Sequence, residues 1–202
     1  MKDSNRKLAA VFANARMDTY NEVLSIVSRN MEVVDLTCRA SDYFPESHNE
    51  LLDRVDLVVS VFNGVRITGK ALTIPNFNIH MAPLWYRGMG GVGRAVVDKR
   101  DRHGLVVHQM CDEYDSGRIL YEEQYDISGL SPSQIGLECK KRAMVQLERF
   151  CVYFARHGEL PEPERQINWE GDVMRLREFK SWLISIEFDG KEDVLEFYKP
   201  YF

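Results

Sequence analysis

The sequence predicts an α/β fold in which a mostly parallel sheet is flanked by helices. One observation is the apolar, β-branched run at 55–62, which is typical of a parallel strand covered on both faces. A second is the alternation of strand-like and helix-like segments along the chain. The third is a long helix with clear start and stop signals between residues 131 and 158. The length of 202 residues suffices for one domain, or for one domain with a small appendage.

The first elements follow from short apolar runs and a helical stripe. A buried first strand is predicted at 8–13, and a helix follows it because Thr19 and Glu22 have the spacing of a capping box. The apolar stripe of this helix consists of Tyr20, Val23, Ile26 and Val27. A second strand is predicted at 31–36, and the polar segment 41–49 is predicted as a loop.

Two further strands are predicted, and the second brings polar side chains to the edge of the sheet. The run at 55–62 is the first, and the segment 74–80 is the second. The second strand ends in Asn78, Ile79 and His80. Open α/β sheets place their sites at the carboxyl ends of parallel strands, so polar residues there point to function.

The next segments complete the predicted sheet and create a long loop. A helix is predicted at 92–99, and strands are predicted at 104–110 and 118–125. The loop at 111–117 between the two strands is long enough to hold a site.

The long helix has the most complete set of signals. Ser131 is predicted as the N-cap, with Pro132 at the first helical position and Gln134 completing a capping box. Gly158 follows the last turn, and Pro161 stops the helix. The predicted apolar face consists of Met144, Leu147, Phe150, Cys151 and Phe154.

The chain is predicted to divide at residue 160. Residues 1–160 form the main domain, and the Pro-Glu-Pro-Glu segment at 161–164 is interpreted as a linker. Residues 161–202 are expected to form a small appendage that packs on the sheet domain or on a second subunit, which makes it a candidate homodimerisation segment. This appendage is acidic and contains the aromatic residues Trp169, Phe179, Trp182 and Phe188.

Composition and charge exclude several function classes. The formal net charge of -5 leaves no broad basic footprint for nucleic acid, and the basic run at 99–103 is interpreted as a solvated turn. No segment approaches the roughly 20 apolar residues of a membrane span, and the polar start at 1–7 does not resemble a secretory signal. We therefore expect a cytoplasmic protein without nucleic-acid or membrane partners.

The cysteines are interpreted as reduced thiols. They lack the Cys-x-x-Cys spacing of zinc and redox motifs, so neither a disulfide frame nor a metal site is expected. The four residues are Cys38, Cys111, Cys139 and Cys151.

Two segments about thirty-five residues apart carry the chemistry. Asn78 and His80 are two apart on a strand, so their side chains share one face. Taken singly, each is interpreted as a hydrogen-bonded structural group, and Asp115 within Asp-Ser-Gly as part of a turn. Taken in order, they offer an amide, an imidazole and a carboxylate to one cleft. That set suits acyl transfer to an amine without a covalent enzyme intermediate.

The same segments resemble a known family. The stretches are Asn-Ile-His-Met-Ala-Pro-Leu-Trp-Tyr-Arg-Gly at 78–88, Gly-Leu-Val-Val-His-Gln-Met at 104–110 and Asp-Glu-Tyr-Asp-Ser-Gly-Arg-Ile-Leu at 112–120. They resemble the folate-dependent formyltransferases, which include glycinamide ribonucleotide transformylase, methionyl-tRNA formyltransferase and the sugar-nucleotide N-formyltransferases. The strong match covers about 55–125.

The resemblance implies a Rossmann-like fold and a set of roles. It implies that Asn78, His80 and Asp115 are catalytic, that 10-formyltetrahydrofolate is the formyl donor, and that no metal is needed. It places the pterin of the donor on two loops, at Phe62, Asn63, Gly64, Val65 and Arg66 and at Met110, Cys111 and Asp112. Candidate contacts to the acceptor are Met81, Trp85, Tyr86, Arg87 and Gly88.

Departures from the family pattern narrow the acceptor. Met81 stands where the family has Pro, and the loop at 13–16 lacks the Gly-rich cradle that would hold a ribonucleotide phosphate. Residues 150–202 contain seven Lys and Arg against eleven Asp and Glu, which disfavours tRNA. By elimination, the expected acceptor is an amino sugar linked to dTDP or UDP.

Two alternatives stay open at this point. A 10-formyltetrahydrofolate hydrolase uses the same trio with water as the acceptor. Those enzymes carry an additional N-terminal regulatory domain, for which a first strand starting at residue 8 leaves no room. The other alternative is a non-catalytic, formyltransferase-like binding module.

Overall fold

The computed structural model describes residues 6–36 and 49–202. Predictions for residues 1–5, for Cys38 and for the loop up to residue 48 lie outside the described residues. The strands are β1 (Leu8–Phe12), β2 (Glu32–Asp35), β3 (Leu57–Val61), β4 (Asn76–His80), β5 (Arg102–His108), β6 (Arg118–Asp126) and β7 (Arg165–Gln166). The helices are α1 (Tyr20–Asn30), α2 (Asn49–Leu52), α3 (Gly91–Val97), α4 (Pro132–His157), α5 (Leu176–Ser185) and α6 (Lys191–Tyr198), with short 3-10 turns at Gly69–Thr73 and Lys199–Tyr201.

All seven strands lie in one sheet, in the order β2-β1-β3-β4-β5-β6-β7. The first four strands are parallel, and every residue of β3 is buried because helices cover both faces of the sheet. This confirms the predicted fold class. Beyond β4 the sheet changes character, since β5, β6 and β7 each run antiparallel to the strand before them.

The long helix α4 forms as predicted. Ser131 Oγ accepts from the Gln134 N–H at 3.3 Å, and Gln134 Oε1 accepts from the Ser131 N–H at 2.8 Å. Gly158 ends the helix in the left-handed conformation, with φ of 74°. The predicted apolar face is buried against the sheet, at Met144, Leu147, Phe150, Cys151 and Phe154.

The start of α1 differs from the prediction. Val23, Ile26 and Val27 are buried as expected, but Thr19 makes no side-chain cap. Thr19 already has helical dihedral angles, with φ of -85° and ψ of -2°, whereas a capping hydroxyl needs an extended backbone. The predicted capping box between Thr19 and Glu22 is therefore absent.

The C-terminal segment joins the rest of the fold at two places. β7 adds to the edge of the sheet beside β6, and Phe179, Leu183 and Val194 of α5 and α6 share a buried cluster with residues of α3 and α4. Gly136 of α4 permits the close approach of α6, because a Cβ there would lie 2.4 Å from the Phe197 ring. Whether residue 160 marks a domain boundary stays a prediction.

Three described cysteines are free thiols. Cys111 is exposed, while burial raises the pKa of Cys139 and of Cys151 to about 12, so both stay protonated at neutral pH. Within residues 6–36 and 49–202, no helix combines the length and hydropathy that a membrane crossing requires.

The packing of α4 makes a stability prediction. Leu147→Ala should lower the free energy of unfolding by about 2–5 kcal/mol, because Leu147 is fully buried and its removal leaves a cavity. Val145→Ala is the matched control, since Val145 lies on the same helix with 62% of its surface exposed, and it should change stability by less than about 0.5 kcal/mol. Urea unfolding at pH 7 measures both, and equal losses would contradict the assigned helix face.

Candidate active site

A cavity of about 410 Å³ opens where β3 and β4 end. This volume lies within the range of ordinary small-molecule sites, which is roughly 300–1,000 Å³. Its walls come from 62–67, 78–82, 88–91, 110–116 and 173–177, together with Ser60, His108, Tyr198 and Tyr201. The predicted trio of Asn78, His80 and Asp115 lies among these lining residues.

Asn78 is oriented by a histidine on the neighbouring strand. Antiparallel pairing of β4 with β5 sets His108 directly opposite Asn78. His108 Nδ1 lies 2.9 Å from the Gln109 carbonyl oxygen and 3.2 Å from the Ser116 carbonyl oxygen. Because carbonyls only accept hydrogen bonds, Nδ1 must carry the proton, and Nε2 accepts from the Asn78 Nδ2 at 3.1 Å. One amide hydrogen of Asn78 is thereby used, and its second stays available at the cavity wall.

Burial supports this assignment. His108 is almost fully buried, and desolvation lowers the pKa of its imidazole, while the Asp115 charge opposes the shift. The ring is therefore neutral at physiological pH, which keeps Nε2 an acceptor.

His80 has the opposite tautomer. Its Nε2 lies 2.9 Å from the Tyr86 carbonyl oxygen, so Nε2 carries a proton in either charge state. Its Nδ1 faces Asp115 Oδ1 at 3.6 Å. Nδ1 is therefore the nitrogen that can gain and lose a proton beside the carboxylate. The imidazole is 8% exposed, and the Trp169 ring packs edge-on against it with centroids 5.2 Å apart.

Asp115 is held by hydrogen bonds from two distant segments, one from a backbone N–H and one from a side chain. Its Oδ2 accepts from the Gly88 N–H at 2.9 Å, and its carbonyl oxygen accepts from the Trp169 Nε1–H at 3.0 Å. Its backbone is left-handed, with φ of 49°, a conformation that Asp tolerates better than most residues. Gly117 completes the turn at φ of 123°, where a Cβ would lie 2.0 Å from the Gln109 carbonyl oxygen.

Arg87 fixes the loop that carries Asp115. Its guanidinium donates to the Tyr114 carbonyl oxygen at 2.7 Å and to Ser116 Oγ at 2.9 Å, and it pairs with Glu113 Oε1 at 3.0 Å. This pairing lowers the pKa of the Glu113 carboxyl. A planar side chain with several donors is suited to such cross-linking.

The two loops predicted for the donor face the same cavity and touch each other. All eight predicted residues, Phe62 to Arg66 and Met110 to Asp112, line it. Arg66 Nη2 donates to the Asp112 carbonyl oxygen at 2.5 Å, and the Met110 N–H donates to Asn76 Oδ1 at 2.6 Å. Phe62 has a φ of 51°, and Asn63 closes a turn by accepting from the Val65 N–H. Within the described residues, the buried Arg66 Nε has no hydrogen-bond partner.

Only some of the residues predicted to contact the acceptor line the cavity. Met81 and Gly88 line the cavity, whereas Trp85, Tyr86 and Arg87 do not. Tyr86 is buried, its hydroxyl donates to Asp98, and desolvation by burial raises its pKa to about 12. Trp85 packs beside it with Arg100 over its ring, and Arg87 is committed to the loop at 113–116. These three side chains are structural neighbours of the site.

Sequence reasoning missed residues that reach the cavity from far along the chain. Residues 173–177, Tyr198 and Tyr201 form part of its wall, and Trp169 covers His80. Gly88 permits the close approach of residues 173–177. Its φ is 81°, and a Cβ there would lie 2.2 Å from the Met174 carbonyl oxygen. The Tyr-Arg-Gly motif marked Gly88, but nothing in the sequence marked its partner.

Metal ligands are not grouped in the part of the chain that the structure describes. There, no three His, Cys, Asp or Glu side chains are arranged to hold an ion.

Comparison with known proteins supports the resemblance. No protein-family model matches the chain. Methionyl-tRNA formyltransferase from Natranaerobius thermophilus is 35% identical over 94 residues, which is 41% of this chain and 30% of that protein. The chain thus spans less than a third of the length of this curated relative.

Solved structures share the fold over nearly the whole chain. A 4-N formyltransferase from Francisella tularensis has a TM-score of 0.70 at 15% identity, covering 93% of this chain and 85% of that one. The formyltransferase PseJ from Anoxybacillus kamchatkensis, in complex with UDP-4,6-dideoxy-4-formamido-L-AltNAc and tetrahydrofolate, has a TM-score of 0.62 at 15% identity, covering 94% and 97%. The predicted formyltransferase-type fold is confirmed.

The two tautomers are directly measurable. We expect neutral His80 to carry its proton on Nε2 and neutral His108 to carry it on Nδ1, because each of those nitrogens faces a carbonyl oxygen. His108 should also stay neutral to a lower pH than a solvent-exposed imidazole does, since burial lowers its pKa. Long-range proton–nitrogen NMR spectra report both properties, with His80→Gln and His108→Gln spectra as assignment controls. A shared tautomer for the two rings would contradict the geometry.

Proposed function

On the premise that this chain has the fold and the motif residues of the folate-dependent formyltransferases, we propose that it is an N-formyltransferase. It moves a formyl group from 10-formyltetrahydrofolate to a primary amine of a small molecule, namely an amino sugar linked to UDP or dTDP. The observation that carries the proposal is the meeting of Asn78, His80 and Asp115 at one cavity, with Asp115 Oδ1 3.6 Å from His80 Nδ1.

In the first step, the site must stabilise an oxyanion. The neutral amine attacks the formyl carbon, a new carbon–nitrogen bond forms, and the carbonyl oxygen becomes negative. The second amide hydrogen of Asn78 is suited to this oxygen because His108 already holds the first. Protonated His80 adds a second donor from Nδ1. One well-placed donor of this kind typically contributes roughly 3 kcal/mol to the transition state.

The remaining steps move protons. The attacking nitrogen becomes positively charged and must lose a proton, which a water held by the Asp115 carboxylate, 3.6 Å from His80 Nδ1, accepts. When the intermediate collapses, the bond between the formyl carbon and N10 of the folate breaks. N10 then takes up a proton, so the transfer is balanced without an enzyme-bound intermediate.

The donor loops fit a folate. The pterin ring offers amide-like edges, and the loops present backbone groups at 62–66 and 110–112 together with the unpartnered Arg66 Nε. PseJ, which shares the fold, was solved with tetrahydrofolate and a UDP-linked formamido sugar. That complex supports a folate donor and a nucleotide-linked acceptor for this chain. Localisation in the cytoplasm and homodimerisation through 161–202 stay predictions.

Variants of the trio test the proposal. Asn78→Ala should lower the rate of formylated-product formation about 100- to 1,000-fold through loss of an oxyanion donor. His80→Ala and Asp115→Asn should each lower it at least about 100-fold through loss of proton transfer. Product is detected by mass after incubating 10-formyltetrahydrofolate with a panel of amino-sugar nucleotides.

Matched controls and alternative outcomes make the test decisive. Asn21→Ala, His157→Ala and Asp172→Asn change the same residue types at exposed positions outside the cavity and should keep full activity. The proposal fails if a formylated product forms at the wild-type rate in all three trio variants. Folate release without any amine would favour the hydrolase, and folate binding without turnover would favour the binding module.

A further inference from the structure

A short C-terminal segment at 173–177 is fixed beside the trio. The Met174 N–H donates to the Arg87 carbonyl oxygen at 3.1 Å, and the Met89 N–H donates to the Met174 carbonyl oxygen at 2.7 Å. Between these two bonds, Gly88 pairs with Met174 as an isolated β-bridge and also donates to Asp115. The segment is thus linked to the Asp115 carboxylate through a single residue, Gly88.

This segment brings two arginines to the cavity. Arg175 and Arg177 both line it and both are exposed. Among the described residues, neither guanidinium donates a hydrogen bond or forms an ion pair with a carboxylate. The other arginine that lines the cavity, Arg66, is bonded to Asp112, and the nearby Arg87 is committed to Glu113, Tyr114 and Ser116. Outside the loops proposed for the donor, the guanidinium groups that line the cavity without a carboxylate partner therefore belong to residues 175 and 177.

We propose that Arg175 and Arg177 hold the diphosphate of the acceptor. The inference rests on the proposed function and adds the group by which the acceptor is recognised. Guanidinium forks match phosphate oxygens in geometry and charge. A chain with a net charge of -5 also needs a local positive patch to attract a doubly charged ligand.

The position of Arg175 and Arg177 indicates that the anion they bind belongs to the acceptor and not to the donor. The carboxylates of a folate tail offer similar chemistry to arginine. However, the backbone hydrogen bonds of Met174 go to Arg87 and Met89, on either side of Gly88, and not to the loops at 62–66 and 110–112 that are proposed for the donor. An acceptor anchored at 175–177 would have its amine near Asp115, through the Gly88 bridge.

Calorimetric binding of UDP and dTDP to the purified full chain tests this inference. Arg175→Gln and Arg177→Gln should each weaken binding of whichever nucleotide the wild type prefers by about tenfold, and the double variant should weaken it further. Arg156→Gln, at an exposed position on α4 outside the cavity, is the matched control and should bind as the wild type does. Raising the salt concentration should reduce the difference between wild type and variants.

A second ligand distinguishes the acceptor diphosphate from the folate carboxylates as the anion that the arginines bind. Folinic acid, a stable formylated folate, should bind the wild type and both variants alike. Unchanged nucleotide affinity in the double variant, or no nucleotide binding by the wild type, would overturn the inference. So would a selective loss of folinic acid affinity, because the arginines would then hold the donor.

Failure of the inference and failure of the proposed function give different results. If a formylated product forms but the variants keep the wild-type KM for the acceptor, the function stands and the inference falls. If nucleotide binding depends on both arginines but no amine is formylated, the nucleotide site stands and the proposed function falls.

Discussion

Burial of the His108 ring fixes the orientation of the Asn78 amide, on which the rest of the site depends. The imidazole is neutral because the interior disfavours its charged form, and two carbonyl oxygens take its Nδ1 proton. Nε2 can then only accept, and the Asn78 amide turns its NH₂ group towards it. Antiparallel pairing of β4 and β5 makes this contact possible by placing the two residues opposite each other. A parallel β5 would not give the same register.

The carboxylate, in contrast, depends on contacts between distant segments. Gly88 and Trp169 each donate a hydrogen bond to Asp115, one to the side chain and one to the backbone. Arg87 ties down the surrounding loop through three of its residues. A residue in the left-handed region costs free energy, and these contacts outweigh it. The geometry of the trio is therefore a property of the whole chain, including its C-terminal part.

Local signals explain what the sequence predicted well. The parallel strands and α4 follow from apolar runs and capping residues, both of which act over a few residues. The capping box at Thr19 failed because the preceding turn had already set helical angles there. The reversal at β5, the inward position of Tyr86 and the docking of 173–177 depend on pairing across the fold, which spacing along one sequence does not encode. Trp85, Tyr86 and Arg87 were selected for their chemistry, but packing directs them elsewhere.

The bridge between Gly88 and Met174 also joins segments that are synthesised at different times. Residues 88 and 174 are far apart in the chain, so closing this contact costs more conformational entropy than closing a local one. Strands β1 to β6 and helix α4 are complete in sequence before residue 174 is synthesised. The sheet can therefore form on a growing chain while the cavity still lacks one wall. A partly made chain that ends before residue 174 therefore holds Asn78, His80 and Asp115 beside an incomplete cavity wall.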